Sequence, residues 1–142
     1  MIVLDASVGV KWLKAETQST EASALLARSA GAIMVPDLFA IEVASAIVRV
    51  ANTDKPAAPA MRTALARFDT LLSGAMFEQV RTTPELLGRA ATLAIDIGHP
   101  LKDCIYLMLA IEANCPLVTC DAKFAEKARP RYSDIRLLGD IV

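Results

Sequence analysis

Hydrophobic positions along this 142-residue chain follow two different periods. Short apolar runs rich in β-branched residues alternate with longer segments in which apolar residues recur every three or four positions, as on one face of a helix. Strands separated by helices require crossover connections, so the pattern predicts an α/β fold whose central, mainly parallel sheet is covered by helices on both faces, a three-layer α/β/α arrangement. The predicted strands are residues 2–4, 33–35, 77–81, 117–119 and 135–138.

Helix boundaries are indicated by capping residues and by glycine, proline and asparagine. Asp37 is expected to cap a long helix, Thr83 to cap another with Pro84 in its first turn, and Gly98 to end that helix. The predicted helices are 8–13, 19–30, 38–52, 60–73, 85–97, 102–113 and 122–128, and residues 53–59 are expected to form a plain loop. Without a repeat, low-complexity tract or linker, a single domain over residues 1–142 is expected.

Four acidic residues stand where the apolar segments turn or narrow. Asp5 directly follows a predicted strand and Asp121 follows another after one residue, whereas Glu42 lies within a helix and Asp103 near the start of another. In a parallel α/β fold, the carboxyl ends of strands and the starts of the following helices collect along one edge of the sheet. Clustered carboxylates repel one another, so either their pKa values rise or a hard cation such as Mg²⁺ or Mn²⁺ lies among the oxygens, and a pocket of several acids without an adjoining basic residue favours the cation. The spacing therefore predicts a divalent-metal site.

Each acid also has an ordinary structural explanation. Asp5 and Asp121 suit helix N-caps, and Asp103 stands in a first helical turn, where the helix dipole favours a negative charge. Glu42 also fits a polar stripe along its helix with Ser45, Arg49 and Asn52. Taken singly, these readings compete with metal binding, and it is the set of four that favours a shared site.

Composition changes this picture in two ways. The formal charge is −1, but without the four candidate ligands 12 acidic residues stand against 15 basic ones, which favours a polyanionic substrate. The densest basic stretch, Lys123, Lys127, Arg129 and Arg131, is a candidate for contacts with a phosphate backbone, or is equally a solvated helix face. The 54% hydrophobic content and mean hydropathy of +0.41 indicate a deeply buried sheet and apolar surface covered by a partner.

Location is inferred from what interrupts the apolar segments. Charged residues break the most hydrophobic region, residues 30–51, and Asp5 falls where a signal peptide would need an unbroken apolar run. Cys104, Cys115 and Cys120 share no C-x-x-C spacing and are expected to be reduced thiols rather than zinc ligands. A cytoplasmic protein with no membrane segment is expected.

Four segments resemble, in order, the acidic motifs of the PIN-domain ribonucleases and, within them, of the VapC-type toxins. The segments are residues 1–7, 36–43, 103–110 and 117–124, so the resemblance spans nearly the whole chain. It implies a PIN-like fold and a metal-dependent endoribonuclease that hydrolyses RNA phosphodiester bonds. The implied metal-binding catalytic acids are Asp5, Glu42, Asp103 and Asp121, supported by Ser7, Ser45 and Thr119. The family often has asparagine where Ser45 stands, so substrate contacts there are expected to differ.

The resemblance also implies partners. It implies RNA as the substrate, Mg²⁺ or Mn²⁺ as the cofactor, a homodimer, and a small VapB-like antitoxin that wraps apolar helices and sends a basic residue into the acid pocket. Leu25, Leu26, Ile47 and Val50 would line such a groove, a dimer face or the core. His99, in a Gly-His-Pro turn, is expected to be structural rather than a general base. Trp12, between two lysines, suits base stacking, a partner contact or a half-buried core position.

Other functional classes remain open at this point. One is a PIN-domain nuclease of RNA processing that is not a toxin. Another is a Mg²⁺-binding phosphate-handling or signalling α/β domain with a phosphorylatable aspartate, although such domains usually place a lysine at a strand end, and the strands 117–119 and 135–138 offer none. A non-catalytic binding protein with a structural metal is the third.

Overall fold

The central feature of the protein is a five-stranded sheet in which every strand pair is parallel. The computed structural model describes residues 1–141. The strands are β1 (Ile2–Leu4), β2 (Ile33–Pro36), β3 (Phe77–Val80), β4 (Leu117–Thr119) and β5 (Ile135–Leu137). They lie in the order β3-β2-β1-β4-β5. The predicted α/β class with a parallel sheet is confirmed.

Helices flank this sheet. Within residues 1–141 they are α1 (Ala6–Leu13), α2 (Ser19–Arg28), α3 (Leu38–Thr53), α4 (Ala58–Ser73), α5 (Pro84–Ile97), α6 (Leu101–Ala113) and α7 (Ala122–Ala128). Helix α1 packs against α2, α3 and α4, while α5 pairs with α6, which lies against β1, β2 and β4. In residues 1–141 no helix combines the length and apolarity that crossing a bilayer requires.

Local signals set several boundaries where the sequence places them. The Thr83 side chain accepts a hydrogen bond from the Leu86 amide at 3.2 Å, so it caps α5 as predicted. Gly98, with φ of +66°, ends α5, and Asn114, with φ of +51°, ends α6. Both residues adopt the left-handed conformation that commonly closes a helix.

Three local predictions are wrong. Asp37 does not cap α3, because its carboxylate instead accepts hydrogen bonds from the Thr82 amide at 3.1 Å and the Thr82 hydroxyl at 2.6 Å. The expected loop at residues 53–59 contains a 3₁₀ turn, Lys55–Ala57, that runs into α4, and prolines are tolerated there because a first turn needs few amide donors. Helix α1 also begins earlier than predicted, at Ala6, directly after Asp5.

An aromatic cluster lies where α1, α3 and α4 meet β3. The Trp12 ring stacks on Phe77 with centroids 5.5 Å apart, and Phe39 lies within 6.5 Å of Trp12, Phe68 and Phe77. Trp12 is only 5% exposed, and its indole N–H donates to the Ala22 carbonyl. It is therefore a core residue, which excludes the base-stacking role considered from sequence.

The strand order determines where a site can form. Successive crossovers place β2 and β3 on one side of β1, whereas β4 and β5 lie on its other side, so the winding reverses between β1 and β4. Ligands of open α/β sheets bind at such a reversal, beside the carboxyl ends of the strands. Asp5 follows β1 and Asp121 follows β4, which places both residues at this point.

Candidate functional site

Asp5 lies at the centre of the site and is 6% exposed. Its Oδ2 accepts hydrogen bonds from the Ser7 hydroxyl at 2.6 Å and the Thr119 hydroxyl at 2.9 Å, and its side chain makes no capping bond to α1. The capping explanation for Asp5 is therefore wrong. Burial raises the pKa of the Asp5 carboxyl, and the charge of Asp103 raises it further, while Ser7 and Thr119 partly offset these effects.

Ser7 and Thr119 connect the ends of two neighbouring strands. The Ser7 hydroxyl accepts a hydrogen bond from the Cys120 amide at 3.1 Å, and the fully buried Thr119 hydroxyl accepts one from the Asp121 amide at 3.1 Å. Each hydroxyl also donates to Asp5, so both its donor and acceptor functions are used. Both residues lie where a supporting role for Asp5 requires them.

Glu42 projects from α3 toward α6. Its Oε2 accepts a hydrogen bond from the Tyr106 hydroxyl at 3.0 Å, and its Oε1 lies 3.8 Å from Nζ of the exposed Lys102. Burial raises the pKa of the Glu42 carboxyl, and the charges of Asp5 and Asp103 act in the same direction, against Tyr106 and Lys102. Glu42 is thus part of the acidic pocket rather than only of a solvated polar stripe.

Asp5 and Glu42 form one half of the acidic pocket. Asp103 and Asp121 form the other half together with His99. One nitrogen or oxygen atom from each of the three side chains lies within 4.8 Å of the others. Asp103 Oδ2 is 2.6 Å from His99 Nε2, and Asp121 Oδ1 accepts the Phe124 amide at 2.9 Å, which caps α7. The capping explanation for Asp121 is therefore correct, and its carboxylate nevertheless lies beside Asp103.

Asp103 joins the two halves, because its charge acts on Asp5 and Glu42 while its carboxylate adjoins Asp121. In each of the four carboxylates, the hydrogen bonds described above fall on a single oxygen. The second oxygen of Glu42 lies 3.8 Å from the Lys102 ammonium. A set of carboxylate oxygens in which burial raises the pKa of two members, Asp5 and Glu42, fits a hard divalent cation better than it fits isolated ion pairs.

Sequence reasoning missed two residues that hold these acids, His99 and Tyr106. His99 was expected to be structural rather than a general base, and its contact with Asp103 was not foreseen. Its position four residues before an acid at the start of a helix was the available signal. Tyr106 lies 64 positions from Glu42, and no local pattern indicates that pairing.

A cleft of about 360 Å³ adjoins Glu42. Ser45, Arg49 and Lys102 line it beside apolar side chains of α1 and α3, and Ser45 makes no side-chain hydrogen bond within residues 1–141. Arg49 is exposed and has no acidic partner within ion-pair distance in that part of the chain. The cleft therefore presents two positively charged side chains, Arg49 and Lys102, next to the acids.

Most of the basic stretch selected from sequence is engaged within the chain. Lys127 Nζ donates to the Gly98 carbonyl at 2.9 Å, the Arg129 guanidinium donates to the Ile135 carbonyl, and Arg131 lies 3.5 Å from Asp96. Lys123 is exposed. The side chains of Arg129 and Lys127 thus have structural contacts that compete with binding a phosphate backbone.

Comparison with known proteins agrees with this architecture. The family model described as PIN domain matches residues 2–130 of the chain. No curated protein matches its sequence.

Solved structures share the fold at low identity. VapC20 of Mycobacterium tuberculosis, a toxin that cleaves the sarcin-ricin loop, is 11% identical with a TM-score of 0.70, covering 89% of this chain and 94% of that one. A toxin–antitoxin complex from Klebsiella pneumoniae contains a chain 15% identical with a TM-score of 0.71, covering 97% and 98%. VapBC2 of Rickettsia felis, bound to a promoter DNA fragment, gives 19% identity and a TM-score of 0.63, covering 96% and 97%.

Proposed function

The chain belongs to the PIN domain family, and we propose that it is a divalent-metal-dependent endoribonuclease acting as the toxin of a toxin–antitoxin pair. Two observations support this proposal: carboxylate oxygens of Asp103 and Asp121 lie within 4.8 Å of each other, and the charge of Asp103 acts on both Asp5 and Glu42. Such a cluster is costly for folding unless a cation compensates it. Structural neighbours described as toxins support the finer assignment.

The four carboxylates would together hold Mg²⁺ or Mn²⁺. Both ions suit a set of carboxylate oxygens. When bound, such an ion lowers the pKa of the attacking water and stabilises the negative charge that develops on the phosphate and on the leaving oxygen. No side-chain nucleophile is then required for phosphodiester hydrolysis.

The surrounding residues have distinct tasks in this proposal. Ser7 and Thr119 hold one oxygen of Asp5, and Tyr106 holds one oxygen of Glu42, so that the second oxygens keep a fixed direction. Preorganised ligands avoid the cost of reorientation during the reaction. Because the Tyr106 and Thr119 side chains are fully buried, neither support is exposed to competition from water.

We place the RNA backbone along the cleft beside Glu42. Arg49 and Lys102 supply the positive charge there, and Val10, Leu38 and Ile41 supply an apolar wall for ribose or base. Ser45 lines the same cleft, where its short hydroxyl leaves more room than the family's usual asparagine. Lys123 remains a candidate for a contact farther along the strand.

The antitoxin partner is proposed to cover α3. Ile41 and Val48 are 70% and 45% exposed on this helix, next to the cleft. Leu25 and Ile47, by contrast, are 3% and 1% exposed, so they belong to the core and not to a groove. A basic residue from the partner would reach the acids through the adjoining cleft. A homodimer and a cytoplasmic location remain proposals that gel filtration and cell fractionation test.

The nuclease proposal is tested with total RNA. The purified chain is incubated with Mg²⁺ or Mn²⁺, beside EDTA and beside Asp5→Asn, and the cleaved ends are mapped. Asp69→Asn, an exposed substitution of the same chemistry on α4, is the matched control. We expect cation-dependent cuts at discrete sites that Asp5→Asn abolishes and Asp69→Asn retains. The absence of cuts by a folded, cation-loaded, antitoxin-free sample would contradict the nuclease.

The toxin role is tested separately. Expression in a host should arrest growth, and coexpression of the neighbouring reading frame should relieve the arrest. A cation-dependent nuclease that leaves growth unaffected would instead be an RNA-processing enzyme of the same family.

A further inference from the structure

His99 is held in place on the side of the acidic pocket formed by α7. Its ring stacks on Phe124 with centroids 4.6 Å apart and an interplanar angle of 23°, and its side chain is 8% exposed. The amide of the same Phe124 donates to Asp121. A single residue of α7 therefore supports both the imidazole and one of the acids.

The turn that carries His99 is also anchored to α7. The Lys127 ammonium donates to the Gly98 carbonyl at 2.9 Å, and Gly98 adopts a φ of +66°, which a residue with a side chain rarely takes. These contacts hold the turn and α7 together. The position of the imidazole is thus determined before any ligand arrives.

The two ring nitrogens have different surroundings. Nε2 lies 2.6 Å from Oδ2 of Asp103, whereas Nδ1 is buried and has no hydrogen-bond partner in the described part of the chain. A proton on Nδ1 would be a buried donor without an acceptor, which is more costly than a buried lone pair beside an aromatic ring. The proton is therefore expected on Nε2, where it is donated to Asp103.

The start of α6 leaves Asp103 free for this contact. The N-cap position is Pro100, which provides no side-chain cap, and Asp103 stands in the first turn. Its Oδ2 is held by His99, which fixes the orientation of the carboxylate beside Asp121. Rotation of this carboxylate would break the contact with Nε2.

We propose that His99 is a positioning residue that orients Asp103 relative to Asp121 for cation binding. The proposal rests on the metal site of the proposed function. Hydrogen-bond partners of metal ligands commonly account for 10- to 100-fold in metal affinity, because they restrict ligand rotation. His99 acts through Asp103 and is not itself assigned as a ligand.

The first test determines the tautomer of His99 by NMR. The chain has one histidine, so a long-range ¹H–¹⁵N spectrum of the full-length protein contains a single imidazole pattern. We expect the Nε2–H tautomer in the cation-free protein. We also expect its Nε2 resonance to shift in Asp103→Ala and to stay unchanged in Asp69→Asn. An Nδ1–H tautomer, or an Nε2 resonance insensitive to Asp103→Ala, would overturn the proposal.

The second test distinguishes the role of the His99 N–H donor from that of ring stacking on Phe124. His99→Phe keeps the stacking on Phe124 but removes the N–H, whereas His99→Gln restores an N–H donor at a similar reach. Mn²⁺ affinity is measured by calorimetric titration, with thermal melts to establish folding. We expect Mn²⁺ binding at least about 10-fold weaker in His99→Phe, and within about threefold of wild type in His99→Gln.

The outcomes distinguish the two proposals. Equal Mn²⁺ affinity in wild type and His99→Phe, or equally weak binding in both variants, would overturn the positioning role while leaving the metal site intact. A folded wild-type protein that binds neither Mn²⁺ nor Mg²⁺ would overturn the proposed function. If His99→Phe does not fold, the tautomer measurement on wild type and Asp103→Ala still decides the contact.

Discussion

The Tyr106 hydroxyl on α6 donates a 3.0 Å hydrogen bond to Oε2 of Glu42 on α3, which joins the two helices that carry acids of the pocket. Tyr106 is fully buried. Burial raises the pKa of its hydroxyl far above the ordinary value, and the charges of Glu42 and Asp5 add to this effect. The hydroxyl therefore stays protonated at neutral pH and remains a donor to Glu42.

Tyr106→Phe should weaken cation binding. Removing the hydroxyl frees the Glu42 carboxylate to rotate, so we expect Mn²⁺ affinity to fall about 10-fold and stability by about 1 kcal/mol. Calorimetric titration and thermal melts measure both quantities. Tyr132→Phe is the matched control, because the Tyr132 hydroxyl donates to the Cys115 carbonyl at 2.9 Å, away from the acids. Equal Mn²⁺ affinity in the two variants would contradict the role of Tyr106.

Asp5→Asn should stabilise the cation-free protein. Burial raises the pKa of Asp5, so the wild-type fold favours a protonated carboxyl and is penalised when it ionises. A neutral amide removes that penalty, and we expect about 1–2 kcal/mol of added stability in EDTA at neutral pH. Urea unfolding of wild type and Asp5→Asn measures the difference.

The stability difference between Asp5→Asn and wild type should also depend on pH in a defined direction. Because the folded-state pKa is raised, the Asp5 contribution to the free energy of unfolding falls as pH rises from the ordinary value of 3.8 through the raised one. The stability advantage of Asp5→Asn should therefore grow with pH and then level off. Saturating Mn²⁺ should reverse the order, adding about 2.7 kcal/mol to wild type at 100 times the dissociation constant. An advantage that shrinks with rising pH would refute this account.

Arg49→Gln should weaken RNA binding without affecting the fold. Arg49 is exposed and lines the cleft beside Glu42, so its loss removes one phosphate contact. Measured in an Asp5→Asn background to prevent cleavage, the slope of log affinity against log salt should decrease by about 1. Arg131→Gln is the comparison, because Arg131 lies beside Asp96. A larger effect from Arg131 would place the RNA along the C-terminal basic stretch instead.

Gly9→Ala should destabilise the fold beneath the site. A Cβ on Gly9 would lie 2.8 Å from a ring carbon of Phe39 and 2.9 Å from a methyl of Val43, so α1 would have to move away from α3. We expect a loss of about 1–3 kcal/mol in urea unfolding. Gly88→Ala on α5 meets no atom within 4 Å and should stabilise by about 0.5–1 kcal/mol. A neutral result for Gly9→Ala would mean that the close approach of α1 and α3 is not required.

Local sequence patterns were sufficient to predict element bounds and helix caps wherever the interactions that determine them join neighbouring residues. Strand β4 and helix α7 have the predicted bounds, and the Thr83 cap and the Gly98 terminus lie within a few residues of the groups they satisfy. The prediction for Asp37 was wrong because its partner, Thr82, is 45 positions away. A capping rule compares neighbours in sequence and has no information about such a partner.

The sequence by itself determined the alternation of strands and helices, and through it the edge at which Asp5 and Asp121 meet, because parallel crossovers bring strand ends together. Thr119, which ends the strand that precedes Asp121, was already expected to support the acids. Only the tertiary structure decided that Tyr106 holds Glu42, because this contact depends on how the faces of α3 and α6 pack, across 64 positions. Periodicity reveals which residues are buried but not which buried residues touch.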